Sequence, residues 1–222
     1  MLEADVMASP ARYSMREEIA NSVTHGIGIL LSLAALIIMV VFAARYGAVR
    51  HLAGAVVFGC GLILAYTSST LYHSFQKVKV KAVFRTLDHV SIFILIAATY
   101  TPLTLVNLRG AWGWSIFGVV WGLALFGIVV ECSPLRRFRL VSVLLYIGMG
   151  WVVIVALKPL LASVQTGGLI LLLAGGLAYT IGCLFYAWRR LPYNHAIWHL
   201  FVLAGSVCHF FAILFYVLPV EI

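Results

Sequence analysis

Seven apolar stretches divide the chain, each near the roughly 20 residues that a helix needs to cross hydrocarbon. They run approximately from His25 to Ala44, Leu52 to Tyr72, Val90 to Val106, Ala111 to Val130, Leu140 to Leu157, Gly168 to Trp188 and Ala196 to Leu218. Short polar connections separate them. Only helices or closed barrels satisfy their backbone in lipid, and apolar runs of this length are helices. The pattern therefore predicts an all-α membrane protein, a seven-transmembrane-helix bundle. Residues 1–24 form its N-terminal arm and residues 25–222 its single transmembrane domain. Pro102, in Thr99-Tyr100-Thr101-Pro102, is expected to kink the third helix or end its regular part. Glycines such as Gly54, Gly59, Gly61, Gly148, Gly150, Gly175 and Gly176 are expected to let helices approach closely.

Composition narrows the class further. Hydrophobic residues make up 64% of the chain and charged residues 10%, which excludes a soluble domain with a large core. The net charge of +8 lies between the apolar runs, where it meets lipid head groups. No basic stripe follows an otherwise polar face, so nucleic-acid binding is excluded. Cys60, Cys132, Cys183 and Cys208 form no C-x-x-C pair and signal neither a disulfide framework nor a zinc ribbon. Glu3, Asp5, Glu17 and Glu18 precede the first run, unlike the basic start of a cleavable signal, so the first span is expected to stay as an anchor.

Lysine and arginine set the expected orientation. Arg12, Arg16, Lys77, Lys79, Lys81, Arg85, Arg136, Arg137, Arg139, Arg189 and Arg190 fall on one side, against Arg45, Arg50, Arg109 and Lys158 on the other. Positive residues stay in the cytoplasm, which predicts a cytoplasmic N-terminus, an outside C-terminus and a multi-pass protein of the cell (inner) membrane. That is the reverse of the usual seven-helix receptor orientation.

The polar residues out of place in lipid gather on that same side. Glu18, Asn21 and His25 share a helical stripe leading into span 1, and Ser69 and His73 share a face at the end of span 2. Asp88 stands at the start of span 3. His195 and His199, four residues apart at the start of span 7, lie roughly 6 Å apart along a helix axis. Ionisable residues at such depths read as functional by default. Three imidazoles from His73, His195 and His199 suit zinc, with a fourth position left for water. Asp88 is placed to act on that water; it could also pair with Arg85 or cap span 3, and capping is compatible with the site role. Ser69 could hydrogen-bond a ligand, the water or a substrate carbonyl. Glu18, Asn21 and His25 are expected to support the site as a hydrogen-bonded turn rather than to ligate. His89 points about 100° from Asp88 and reads as interfacial, and His51 reads as a surface residue on the opposite side. His209, roughly 15 Å deeper than His199, should line a cavity or bond another helix.

Taken in order, Glu18-x-x-Asn21-x-x-x-His25, Ser69-x-x-x-His73, Asp88 and Asn194-His195-Ala196-Ile197-Trp198-His199 resemble the hemolysin III family. This is the bacterial branch of the progestin and adipoQ receptor group, within the superfamily of the alkaline ceramidases. The resemblance covers nearly the whole chain. It implies an intramembrane zinc held by His73, His195 and His199, with Asp88 and Ser69 beside it, and cleavage of lipid amides as an associated chemistry. It also brings two other readings, a non-enzymatic membrane-homeostasis or sensor protein with structural zinc, and a pore-forming hemolysin. Continuous apolar spans fit a resident bundle better than an inserting toxin. The short connections offer no extracellular hormone-binding domain. A membrane lipid is the expected substrate or ligand, and nothing in the pattern points to a protein partner.

Overall fold

The computed structural model describes residues 13–218; Glu3, Asp5 and Arg12 lie outside them. Among the described residues all regular structure is helical. Helices α1 (Met15–Tyr46), α2 (Val49–Ser74), α3 (Val78–Val106) and α4 (Gly110–Cys132) are followed by a 3-10 turn at Pro134–Arg137. Then come α5 (Arg139–Gly150), a 3-10 segment (Val152–Ala156), α6 (Leu157–Ser163), α7 (Thr166–Ala187) and α8 (Asn194–Tyr216). Seven segments are long and apolar enough to cross a membrane, the fifth being the composite Leu140–Ser163. The protein is a seven-span membrane bundle. Leu30, Ile37, Leu125, Val129, Ile170 and Leu184 are exposed on its outside, where lipid tails replace water as solvent.

Several helices extend past their apolar runs. Helix α1 starts before its run because Ser14 and Glu17 form a reciprocal capping box, with the Ser14 N–H donating to Glu17 Oε2 at 2.8 Å. Helix α3 begins at Val78, so Asp88 lies well inside it and is not its cap. At its other end α3 runs through Pro102 to Val106 instead of stopping at the proline. Close approach of α2 and α3 depends on two glycines. A Cβ at Gly61 would stand 2.6 Å from the Ala98 side chain, and one at Gly54 would stand 2.9 Å from Pro102 Cα. Gly148 and Gly150, by contrast, face open space.

The fifth span is not a single α-helix, as its apolar run suggests, but breaks at Trp151. Tyr100, from α3, enters the gap: its hydroxyl donates to the Gly150 carbonyl at 2.7 Å and accepts the Val153 N–H at 3.1 Å. A side chain inserted in the ladder replaces the lost helical bonds. His51 also departs from expectation. It is buried, and its Nδ1 accepts the Ala48 N–H at 2.9 Å to cap the start of α2.

Replacing Tyr100 by Phe should leave both groups unsatisfied and destabilise the bundle by about 1–3 kcal/mol. Reversible unfolding in mixed micelles measures this, with the exposed Tyr46→Phe as the control expected to change nothing.

Candidate metal centre

Two helices, α2 and α8, deliver one histidine cluster to the end of the bundle where α1 begins. Helix α8 enters it through an unusual turn. Tyr193 has φ 56° and ψ 20°, a left-handed conformation costly for a bulky residue. Its N–H donates to Glu17 Oε1 at 3.2 Å. Asn194, next in sequence, donates from Nδ2 to the Phe185 and Tyr186 carbonyls at 3.1 and 3.3 Å, closing the end of α7. These contacts aim His195 and, one turn on, His199 inwards. His73 arrives on the last turn of α2.

The three rings converge. Centroid separations are 4.5 Å for His195–His199, 5.0 Å for His73–His195 and 5.2 Å for His73–His199. One ligand atom from each lies within 4.8 Å of the others, and all three residues are buried. This group could hold a metal ion.

The hydrogen bonds around the rings supply the test of that fit. His73 Nδ1 lies 2.6 Å from Glu18 Oε2, and a carboxylate can only accept, so the Nδ1 carries the proton. His199 Nδ1 lies 3.2 Å from the Asn21 backbone carbonyl, with the same consequence. In both rings the proton sits on the outward nitrogen. The inward Nε2 of each keeps its lone pair, is buried and has no hydrogen-bond partner among the described residues. An unsatisfied buried acceptor is expensive, and a pair of them directed into one cluster fits a cation. Metal-binding histidines commonly hold their second nitrogen against a carboxylate or carbonyl in this way.

The remaining expected residues surround this cluster. The His25 ring stacks on His199 at 3.5 Å and 12°, with its edge toward Tyr66 at 4.9 Å. Asp88 is buried and stands beside Ser69 and His73. The Ser69 hydroxyl is buried and faces the Asp88 carboxylate. His89 turns away from Asp88 toward Glu131, at 3.3 Å, and the Ser142 hydroxyl donates to the other Glu131 oxygen. Arg85 is a neighbour of Glu131.

Two cavities meet at Asp88. The larger encloses about 980 Å³ of space between atoms, part of it open to the surroundings, and reaches from His25 and Asp88 down to Tyr100, Trp151 and His209. Its polar groups are mostly hydrogen-bonded within the protein: Tyr66 donates to Ser206 at 2.7 Å, Tyr179 lies 2.9 Å from the same serine, and Trp151 donates to Thr180 at 3.1 Å. His209 borders this cavity and donates from Nε2 to the Leu172 carbonyl at 3.2 Å. It therefore both lines a cavity and bonds another helix. The smaller cavity opens toward the bundle's end and is bordered by Asp88, His89, Glu131, Arg136 and His195.

Comparison with known proteins agrees with this architecture. Residues 13–210 match the family described as "Haemolysin-III related". The chain belongs to the haemolysin III family. It is 49% identical to "Hemolysin-3" of Bacillus cereus over 205 residues, 92% of this chain and 94% of that protein. It is 46% identical to "Hemolysin-3 homolog" of Bacillus subtilis (strain 168) over 208 residues, 94% and 98% of the two chains. The human "Monocyte to macrophage differentiation factor" is 30% identical over 166 residues, 71% of this chain and 67% of that protein. This last match extends the kinship from the haemolysin III branch to the progestin and adipoQ receptor group.

Sequence reasoning missed two residues at this centre. Tyr13 lies just ahead of α1 and packs its ring 4.9 Å from that of His195; no local pattern marks it. Lys81 donates to Glu18 Oε1 at 2.8 Å. It does carry a signal, because Lys81 and Asp88 are seven residues apart and share a face once α3 is extended beyond its apolar run.

Alanine at His73, His195 or His199 should abolish stoichiometric metal binding, whereas His209→Phe should retain it. Metal analysis of purified protein after exposure to zinc and a mild chelator reads the difference.

Proposed function

We propose that this haemolysin III protein is a zinc-dependent hydrolase of lipid amides, acting within the membrane. The observation that carries the reading is the meeting of two mostly apolar cavities at Asp88, the smaller also bordered by His89, Glu131, Arg136 and His195, beside three buried histidines with two inward nitrogens that have no hydrogen-bond partner among the described residues. The relatives' names supply no chemistry for this step.

His73, His195 and His199 hold the ion, with Nδ1 of His73 and of His199 fixed from behind. Zinc bound there supplies Lewis acidity toward a carbonyl and acidifies water. The acyl chain lies in the large cavity, whose polar groups are mostly engaged in hydrogen bonds elsewhere in the protein, and the amide comes to rest near Asp88. Ser69, beside Asp88, offers its hydroxyl to the carbonyl oxygen. Asp88 takes a proton from the attacking water as a C–O bond forms, then delivers it to the nitrogen as the C–N bond breaks. A fatty acid and an amine result. The excess of positive residues at the site's end of the bundle supports a cytoplasmic N-terminus in the inner membrane. Alkaline phosphatase fused after Ile222 should then be active and the same fusion at the N-terminus silent.

A second reading, a homeostasis or sensor protein with structural zinc, draws on the burial of all three histidines and on Tyr13 packed against His195; structural zinc sites are closed. Asp88 separates the two. Zinc-loaded protein should cleave at least one member of a panel of ceramides and long-chain N-acyl amines, and a chelator should stop it. Asp88→Asn should keep its metal and lose turnover by about 100-fold or more. No turnover across the panel with metal loaded sinks the hydrolase. Full cellular function in Asp88→Asn points to the structural role.

A further inference from the structure

We propose that Lys81 is a positioning residue of the metal centre, acting through Glu18 on His73. The proposal rests on the reading of the three histidines as a metal site, but not on catalysis.

Three helices contribute one group each to a continuous chain. Lys81 Nζ, on α3, lies 2.8 Å from Glu18 Oε1. Glu18 Oε2, on α1, lies 2.6 Å from His73 Nδ1, on α2. Glu18 thus has each oxygen committed to a different partner, and its carboxylate plane is set by both. The lysine is itself held: its ammonium lies 5.0 Å from the centre of the Tyr72 ring and 3.4 Å from the Phe75 carbonyl.

The three cluster histidines are not backed alike. A neutral backbone carbonyl supports His199, fixed wherever α1 is fixed. His73 depends on a side chain with several rotatable bonds, and a carboxylate able to swing away would let the ring turn or move its proton to Nε2. With the proton on Nε2 the ring offers no lone pair to the ion. Lys81 removes that freedom. It also offsets the charge of a carboxylate that is 5% exposed, and burial of an unpaired charge is costly. The side chain of Lys81 is 23% exposed, so the lysine can stay hydrated while its partner is buried.

Full-length protein in nanodiscs, titrated with zinc against a competing chelator, tests this. Lys81→Met should weaken zinc binding roughly three- to tenfold, toward the lower range of losses for groups behind a metal ligand. Lys81→Arg should restore it to within about twofold, since the cation is kept. Lys77→Met, an exposed residue of the same basic stretch, should leave it unchanged. Nitrogen-15 spectra of zinc-free protein with labelled histidine supply the second readout. His73 should carry its proton on Nδ1 in the wild type and show both tautomers in Lys81→Met. Unchanged affinity overturns the proposal. So does weaker affinity with an unaltered His73 tautomer and a lower melting temperature, which marks Lys81 as a helix staple. If His73→Ala binds zinc like the wild type, the metal reading itself has failed.

Discussion

A carboxylate buried among apolar helices survives only where its charge is answered, and Glu18 is answered twice, by His73 and by Lys81. Much of the site's end of the bundle follows from that requirement. It forces the starts of α1 and α3 and the end of α2 to converge. It also sets the register of α1, because Asn21 and His25 lie three and seven residues beyond Glu18 on the same face. With Glu18 against His73, the Asn21 carbonyl meets His199 and the His25 ring lies flat on it. Glu17, on the adjoining face, reaches the N–H of Tyr193 just before α8. The opening turns of one helix thus orient imidazoles supplied by two others.

Deeper in the bundle the same constraint acts without charge. Lipid offers no hydrogen bonds, so polar groups there must satisfy one another. Ser206 does so for Tyr66 and Tyr179 at once, joining α2, α7 and α8 beneath the histidines. Tyr100 does so for the broken fifth span. The consequence for the large cavity is chemical. Hydroxyls and ring N–H groups lining it are mostly engaged elsewhere, which leaves its depth suited to hydrocarbon. Asp88, its carboxylate, stands at the end near the three-histidine cluster. A cavity polar at one end and apolar along its length favours an amphiphile in one orientation.

What could be read from sequence was what periodicity carries. Seven apolar runs, a four-residue histidine spacing and the Glu18-Asn21-His25 stripe depend only on local geometry, and they found the bundle and the histidines that converge in it. What escaped depends on partners from other helices. The break at Trp151 is stabilised by a tyrosine fifty residues away in α3, and nothing within Leu140 to Leu157 announces it. His51 looked like a surface residue because its cap role requires knowing that α2 begins at Val49. Lys81 was counted as a loop charge because the apolar run marks where lipid begins, not where the helix does. Helix α3 starts three turns before its run at Val90, and those turns carry both Lys81 and Asp88.

The space around the histidine cluster bears on how it could work. A structural zinc needs four protein ligands and no space beside it, whereas a catalytic one keeps a position open. Here three histidines converge, and Tyr13 packs against the ring of His195. Space lies beside Asp88, which both cavities border, and the smaller one also reaches Tyr13 and His195. Arrival of substrate straight from the aqueous phase is poorly suited to that arrangement. A lipid reaching Asp88 from the hydrocarbon side, while water comes through the small cavity past His89 and Glu131, suits it well. The two reactants would then meet without the acyl chain ever leaving the membrane. The cost of extracting that chain, about 0.8 kcal/mol for each CH₂ moved into water, favours placing an amide hydrolase's chemistry inside the bundle and not on its surface.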